Sequence, residues 1–455
     1  MKDNSQNKSS GRKVHIQTFG CQMNEYDTEK MLEVLRLENY ALTESQAEAD
    51  LIILNTCSIR EKAENKVYSE LGRLRKLKSA NPNLKIGVGG CVAQQEGEAI
   101  IRRATNVDFV FGTDNLFELP KMLNKVQKGE KIIITKRHAR QKVRNFIPDY
   151  TFQQTQRFGV KAHLAITKGC NNHCSFCVVP TTRGVEVSRE PENIITEARR
   201  LISAGTREIC LLGQNVNSYK ANGVDFVELL QRLDKLENLK RLRFISPHPK
   251  DFHAELSDAF VNLPSLCEQM HLPLQSGSDR ILRRMRRWYT METFYEKVGL
   301  LRDRLPEATI STDLIVGFPG ETEEEFEMTM EAVRKIRFDL IYSFKYSARP
   351  GTRAAEYPEH LTEDEKSRRH KILLETQEKI VLEKNLALVG STQEVLIEGK
   401  HHRKNNTTTG RTRGYHPVAV KNSKTKAGDL LMVRITGALP NSLEADAIST
   451  SPVIN

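Results

Sequence analysis

Short apolar runs at 14–18, 51–54, 85–88 and 107–111 alternate with stretches at 27–37, 60–77 and 96–103, where apolar residues return every third or fourth position. The first kind reads as strands and the second as amphipathic helices. Their alternation predicts a doubly wound α/β domain with a parallel sheet over 13–128. Residues 129–155 are rich in Lys and Arg and show little periodicity beyond the strand-like 131–135, so they read as a linker. From 156 to 386 six more apolar runs recur, at 163–167, 208–212, 241–245, 269–274, 310–316 and 340–346, with helical stretches between them. Pro191 at a first-turn position and Gly205 just past the end bracket one helix, and 321–337 carries acids early and bases late, as the helix dipole prefers. Six βα units predict a partial (β/α)6 barrel of the TIM type, with its chemistry at the C-terminal ends of the strands. A long charged helix over 362–388 then leads into strand-like runs at 393–397, 417–420 and 430–435, with turns at 428–429 and 440–441. A small β-barrel over 389–452 fits their spacing.

Composition narrows the setting. The 38% apolar content includes no uninterrupted run of membrane-spanning length, and residues 1–12 are polar, without the apolar core of a signal peptide. A cytoplasmic location and no membrane partner are expected. Eight cysteines in 455 residues do not make a secreted disulfide framework. The net charge of +11 favours a polyanionic partner over the simpler alternative of a solvated surface.

Six of the cysteines fall into two sets. Cys170, Cys174 and Cys177 form a C-x3-C-x2-C triplet directly after the run 163–167. Three close thiolates suit an iron–sulfur cluster and leave its fourth iron without a protein ligand, open to a substrate or cofactor. Structural zinc is the competitor, but it closes with four ligands, and His173 lies inside the triplet, where ligation would strain it. Cys21, Cys57 and Cys91 each close a strand-like run and precede a helical one. In a parallel sheet those strand ends share one edge, so three distant residues converge there. One such cysteine is more simply a buried core residue. Three at one structural station point to a ligand set, with Gly20, Gly89 and Gly90 letting the backbone come close to what they hold. Cys210, inside an apolar run, and Cys267, in a helix-like stretch, read as packing residues.

The triplet, with Phe176 before its last cysteine, resembles the radical S-adenosylmethionine superfamily. With the second set the resemblance extends over nearly the whole chain to the methylthiotransferases. These radical enzymes carry an auxiliary 4Fe-4S cluster on an N-terminal domain, and a C-terminal TRAM domain that binds RNA in relatives. The matching stretches are 17–24 (QTFGCQMN), 55–60 (NTCSIR), 89–95 (GGCVAQQ), 211–219 (LLGQNVNSY), 271–279 (HLPLQSGSD), 313–321 (DLIVGFPGE) and 347–352 (SARPGT). Arg353 stands where relatives usually have proline, and Trp288 where a small residue is common.

This resemblance implies a transferase with two 4Fe-4S clusters, one on Cys21, Cys57 and Cys91, the other on Cys170, Cys174 and Cys177. S-adenosylmethionine would serve as methyl donor to a sulfur on the auxiliary cluster and as source of a 5′-deoxyadenosyl radical that abstracts a hydrogen. The residues after Cys57 and around Cys91 look most like the branch that methylthiolates C2 of N6-dimethylallyladenosine at position 37 of tRNA. Implied partners are the tRNA anticodon arm, an electron donor such as flavodoxin or ferredoxin, and a sulfur source. Rival targets are threonylcarbamoyladenosine in tRNA and an aspartate of a ribosomal protein. A different class of rival is a non-catalytic iron–sulfur protein that binds RNA, which would have no use for an open iron facing polar strand ends.

Further site residues follow from position. Gln214, Asn215, Ser246, Gln275 and Asp313 lie at or near the active ends of the barrel strands and are candidate S-adenosylmethionine contacts, each also readable as a turn or cap residue. Arg183 and Glu186, with Arg189, follow the triplet and are candidates to line the space between the clusters, or to form a structural ion-pair set. Residues 400–426 hold eight Lys or Arg and no acid, so Arg403, Lys404, Arg411 and Arg413 are candidate RNA phosphate contacts. Arg283, Arg284, Arg286 and Arg287 beside Trp288 and Tyr289 make a second basic cluster, and either cluster could instead be a solvated face.

Overall fold

The computed structural model describes residues 11–58, 61–138, 159–421 and 425–448, and the chain divides into two units, 1–146 with 178–187, and 147–177 with 188–455. In the first unit β1 (Arg12–Thr18), β2 (Tyr40–Leu42), β3 (Leu51–Thr56), β4 (Lys85–Gly90), β5 (Phe109–Phe111) and β6 (Ile132–Ile134) form one sheet in the order β2-β1-β3-β4-β5-β6. Every pairing is parallel. All six residues of β3 are buried, as expected for a central strand covered on both faces. Ile52, Leu54, Ile86 and Val88 pack with Val67, Leu71 and Leu74 of the helix Glu61–Ala80.

Three expectations change in this unit. β6 pairs with β5, so part of the stretch read as a linker completes the sheet; residues 139–158 lie outside the described residues. The helical stretch 96–103 is broken at Gly97 into Cys91–Glu96 and Glu98–Arg103. Gly89 serves packing rather than a ligand: a Cβ there would stand 2.3 Å from the Phe111 ring, and one at Gly87 2.2 Å from that of Phe109.

In the second unit six parallel strands follow chain order. β7 (Lys161–Ala165), β8 (Glu208–Leu212) and β9 (Arg241–Phe244) make one three-stranded sheet, and β10 (Gln269–His271), β11 (Thr309–Val316) and β12 (Leu340–Lys345) make another. A parallel bridge between Leu242 and Leu266 joins them into the expected partial barrel. Leu164, Ile209, Leu211, Leu242, Phe244, Met270, Ile310 and Leu314 fill its core. The surrounding helices begin where the sequence signals: Pro191 opens Pro191–Ser203, and Thr322 with Glu325 makes a capping box before Glu323–Ile336.

After the helix Glu363–Ala387 come β13 (Thr392–Lys400), β14 (Thr407–Thr412), β15 (Pro417–Lys421), β16 (Leu430–Leu439) and β17 (Ser442–Ala447), closed in the order β13-β14-β15-β17-β16. Val395, Ile397, Val418, Leu431, Val433 and Leu443 form its interior. This barrel is bolted to the beginning of β9. Arg241, fully buried, donates to Arg411 O at 2.7 Å and to Glu394 Oε1 at 2.9 Å, and Arg243 donates to Arg413 O at 2.7 Å and Thr412 O at 3.0 Å. Among the described residues no helix is long and apolar enough to cross a membrane.

Candidate functional site

The register of the first sheet explains how three distant cysteines meet. β1 pairs Thr18 with Asn55 of β3, and β3 pairs Thr56 with Gly90 of β4, so Cys57 and Cys91 leave adjacent strands side by side, with Cys21 three residues past the end of β1. Gly20 at φ +134° and Gly90 at φ +92° allow that crowding, since a Cβ on Gly20 would lie 2.3 Å from Cys57 Cβ and one on Gly90 2.4 Å from Thr56 O. Behind the thiols stands a buried polar frame. Asn24 Nδ2 donates to Thr56 O at 2.8 Å, Asn55 Nδ2 donates to Asn24 O at 2.8 Å, and Cys21 Sγ lies 3.3 Å from Asn24 Oδ1.

Arg183 belongs to this unit and reaches the same place. Its Nη2 donates to Asp27 Oδ2 at 2.7 Å, with both side chains buried, and lies 3.4 Å from Asn24 Oδ1. Burial works against the guanidinium charge, but Asp27, Cys91 and Cys21 outweigh it and raise its pKa. A hydrogen bond with Cys57 brings the Cys21 thiol down to about 6 against its burial, with help from Arg183. Burial pushes the Cys91 thiol up, with Arg183 pulling the other way. Three thiols at one sheet edge beside a charged, buried guanidinium suit an anionic metal–sulfur group. Glu186 lies half-buried in the same 178–187 segment.

The second triplet occupies the loop after β7, which Gly169 at φ +78° and His173 at φ +48° wind tightly. Gln214 Oε1 accepts from Gly169 N at 2.6 Å, so this candidate braces the loop. Ser175 N donates to Met285 O at 3.0 Å and Ser175 Oγ to Arg284 O at 2.8 Å. Arg287, counted in the sequence only as part of a basic cluster, is buried and donates from Nη1 to Cys174 Sγ at 3.3 Å and from Nη2 to Pro273 O at 3.3 Å. Burial opposes its charge, and Tyr289 and Cys174 sustain it.

Polar atoms without partners collect past the strand ends. Thr167 Oγ1, Asn215 Oδ1 and His248 Nε2 are buried and have no hydrogen-bond partner among the described residues. Asn215 is held from its other end, Nδ2 donating to Asp251 at 2.7 Å. His248 was missed in the sequence. Its Nδ1 accepts from Lys250 N at 3.2 Å, and burial beside Arg287 and Lys250 lowers its pKa to about 2, so the ring is neutral with its proton on Nε2. Ser246 at φ +60° and Gln275 at φ +70° are left-handed non-glycine residues past β9 and β10, a strain that concentrates at functional sites. Asp313 Oδ2 lies 3.4 Å from His271 Nε2. Buried, unsatisfied donors and acceptors at the C-terminal mouth fit a polar cofactor such as S-adenosylmethionine.

Other candidates go elsewhere. Arg189 pairs with Glu197 at 2.6 Å, both buried, as a structural ion pair. Arg413, expected at RNA phosphate, is forked onto Glu268 at 2.7 and 2.8 Å and donates to Leu266 O, while Arg411 lies 4.2 Å over the Tyr415 ring and 3.2 Å from Glu398. Both spend their charge inside the protein. Arg403 is exposed, and Lys404 is half-exposed, 3.1 Å from Glu444. Cys267 sits not in a helix but in the turn that bridges to Leu242, and burial raises the pKa of both Cys267 and Cys210. Among the described residues no group of three or more Cys, His, Asp or Glu side chains, the two triplets included, stands in metal-binding geometry. The expectation that the triplets hold clusters therefore rests on their spacing in the sequence and on the strand ends they follow.

Three segments match known families: residues 13–112 the Uncharacterized protein family UPF0004, 164–333 the Radical SAM superfamily and 386–448 the TRAM domain. The chain is 43% identical over 97% of its length to the whole of a tRNA-2-methylthio-N(6)-dimethylallyladenosine synthase of Thermodesulfovibrio yellowstonii. It is 42% identical over 96% of its length to 93% of a protein of the same name from Haemophilus influenzae. Among solved structures, the radical S-adenosylmethionine methyltransferase TsrM of Kitasatospora setae shares the fold over 76% of this chain and 75% of that one, with a TM-score of 0.56 at 14% identity.

Proposed function

This chain belongs to the tRNA-2-methylthio-N(6)-dimethylallyladenosine synthase family of radical S-adenosylmethionine enzymes, and we propose that it adds a methylthio group to C2 of N6-dimethylallyladenosine at position 37 of tRNA. The convergence of Cys21, Cys57 and Cys91 beside Arg183, in a domain separate from the radical triplet, carries the proposal, because a second thiolate set gives a place for the sulfur that the reaction must transfer. When bound, the two 4Fe-4S clusters and S-adenosylmethionine supply reductive radical formation and a transferable methylated sulfur.

The chain's own residues hold and orient these groups. Cys170, Cys174 and Cys177 would ligate the radical cluster, with Gln214 fixing the loop at Gly169 and Arg287 donating to the Cys174 sulfur. Asn215 Oδ1 and the His248 Nε2 proton offer an acceptor and a donor to S-adenosylmethionine, and Ser246, Gln275 and Asp313 line the same strand ends. Cys21, Cys57 and Cys91 would ligate the auxiliary cluster, and the Arg183 charge would offset the negative charge gathered there. Arg403 and Lys404 are left to meet RNA phosphate. A low-potential electron donor of the flavodoxin or ferredoxin kind and a sulfur source complete the requirement.

The test is mass spectrometry of tRNA nucleosides after deletion of the gene in its host. N6-dimethylallyladenosine should accumulate while its 2-methylthio derivative disappears. Loss of a methylthiolated threonylcarbamoyladenosine instead would move the assignment to the rival tRNA substrate.

A further inference from the structure

The turn after the helix Asp279–Arg284 presents two neighbouring side chains to opposite sides. Arg286 N donates to Arg283 O and Arg287 N to Leu282 O, both at 3.0 Å, the paired bonds that close a helix whose next residue turns left-handed. Glycine usually fills that position. Here it is Arg286 at φ +59°, and Trp288, two residues on, is also at φ +59°. Bulky residues keep such conformations only where their surroundings hold them there. The result is that Arg287 is buried against Cys174, while Trp288 stands 65% exposed. The guanidinium of Arg286 lies 5.7 Å from the Trp288 ring, and Arg283 is exposed on the same turn, with no partner among the described residues.

The same turn is tied to the cysteine loop through Ser175, which donates to Met285 O and Arg284 O. An exposed indole with one guanidinium beside it and another exposed one turn earlier in the chain is suited to an unpaired nucleobase, whose π-face stacks on the ring while its phosphates meet the positive charge. A paired base hides that face in its helix. We propose that Trp288, with Arg286 and Arg283, is a stacking platform for an unpaired nucleotide of the RNA substrate beside the modified adenosine. This rests on the tRNA reading above and assigns it a specific contact next to the radical triplet.

Trp288 is the single tryptophan of the chain, so tryptophan emission reports this position alone. The intact protein would be titrated with a synthetic anticodon-arm stem-loop RNA, following tryptophan emission and, in parallel, the anisotropy of a dye on the RNA. Emission should be quenched along the same isotherm as anisotropy. A blunt RNA duplex of equal length should leave it unchanged. Trp288→Ala should weaken stem-loop binding on the order of tenfold, and Trp288→Phe should restore most of it, with unchanged cluster absorbance showing that both variants are folded. If the stem-loop binds by anisotropy while emission stays constant and Trp288→Ala binds as tightly as the parent, the platform is refuted and the tRNA reading stands. Absence of stem-loop binding by both readouts would overturn the two together.

Discussion

Arg287 Nη1 lies 3.3 Å from Cys174 Sγ, so a buried guanidinium donates a hydrogen bond to a proposed ligand sulfur from 113 positions further along the chain. Donors and positive charge at a cluster sulfur favour the reduced, more negative state. Arg287→Met is therefore expected to lower the potential of the radical cluster by on the order of tens of millivolts and to slow 5′-deoxyadenosine formation with a weak reductant more than with a strong one. A redox titration followed by electron paramagnetic resonance reads the shift directly, and an unchanged potential would leave Arg287 a purely structural residue.

The pair of Arg183 with Asp27 makes a second prediction. Both side chains are buried, and removing one leaves the other charge unpaired, at a cost of about 3–5 kcal/mol. Asp27→Ala and Arg183→Met should each lower the melting temperature of the apo-protein, and the double variant should lose less than the sum of the two. Arg183→Met should also bind less iron at the first triplet, because the thiolates lose the charge that balances them. Additive losses in the double variant would show that the two side chains do not act as a pair.

The two cysteine sets lie in different units of the chain, so their clusters should be separable. Alanine at Cys170, Cys174 and Cys177 together should leave one cluster and abolish 5′-deoxyadenosine formation. The same change at Cys21, Cys57 and Cys91 should also leave one cluster, yet permit S-adenosylmethionine cleavage uncoupled from product. Wild-type iron content in either triple variant would refute the ligand assignment.

In the C-terminal barrel the basic residues divide by task. Arg403→Ala with Lys404→Ala should weaken tRNA binding and flatten its dependence on salt, since fewer phosphate contacts release fewer counterions. Arg413→Ala acts differently. It removes the fork onto Glu268 that holds the barrel, so it should loosen barrel docking, detectable as faster proteolysis near residue 390, with little change in salt slope. A large loss of salt slope from Arg413→Ala alone would return that residue to the phosphate surface.

What could be read in the sequence was what short-range pattern encodes. The cysteine triplet is contiguous, and Cys21, Cys57 and Cys91 each follow an apolar run, so strand position alone brings them together. The six barrel strands were legible for the same reason. Strands without an apolar run were not: β14 begins Thr407-Thr408-Thr409 and β17 alternates Leu443, Ala445 and Ala447 with polar residues, while β2 has only three residues. Arg287 and Arg413 look like surface charge in sequence, because their partners Cys174 and Glu268 are more than a hundred positions away. His248 carries no local signal of its burial, which arises only when its ring packs against Tyr289 beside Arg287.

Methylthiolation at C2 of the prenylated adenosine is the central claim, and an isotope measurement reaches it most directly. The reconstituted protein would be incubated with S-adenosylmethionine, reductant and tRNA carrying deuterium at C2 of its N6-dimethylallyladenosine, and the products analysed by mass spectrometry. The account predicts deuterium in 5′-deoxyadenosine together with the 2-methylthio nucleoside lacking it. Formation of 5′-deoxyadenosine with no deuterium, and no methylthio nucleoside from a protein bearing both clusters, would contradict it.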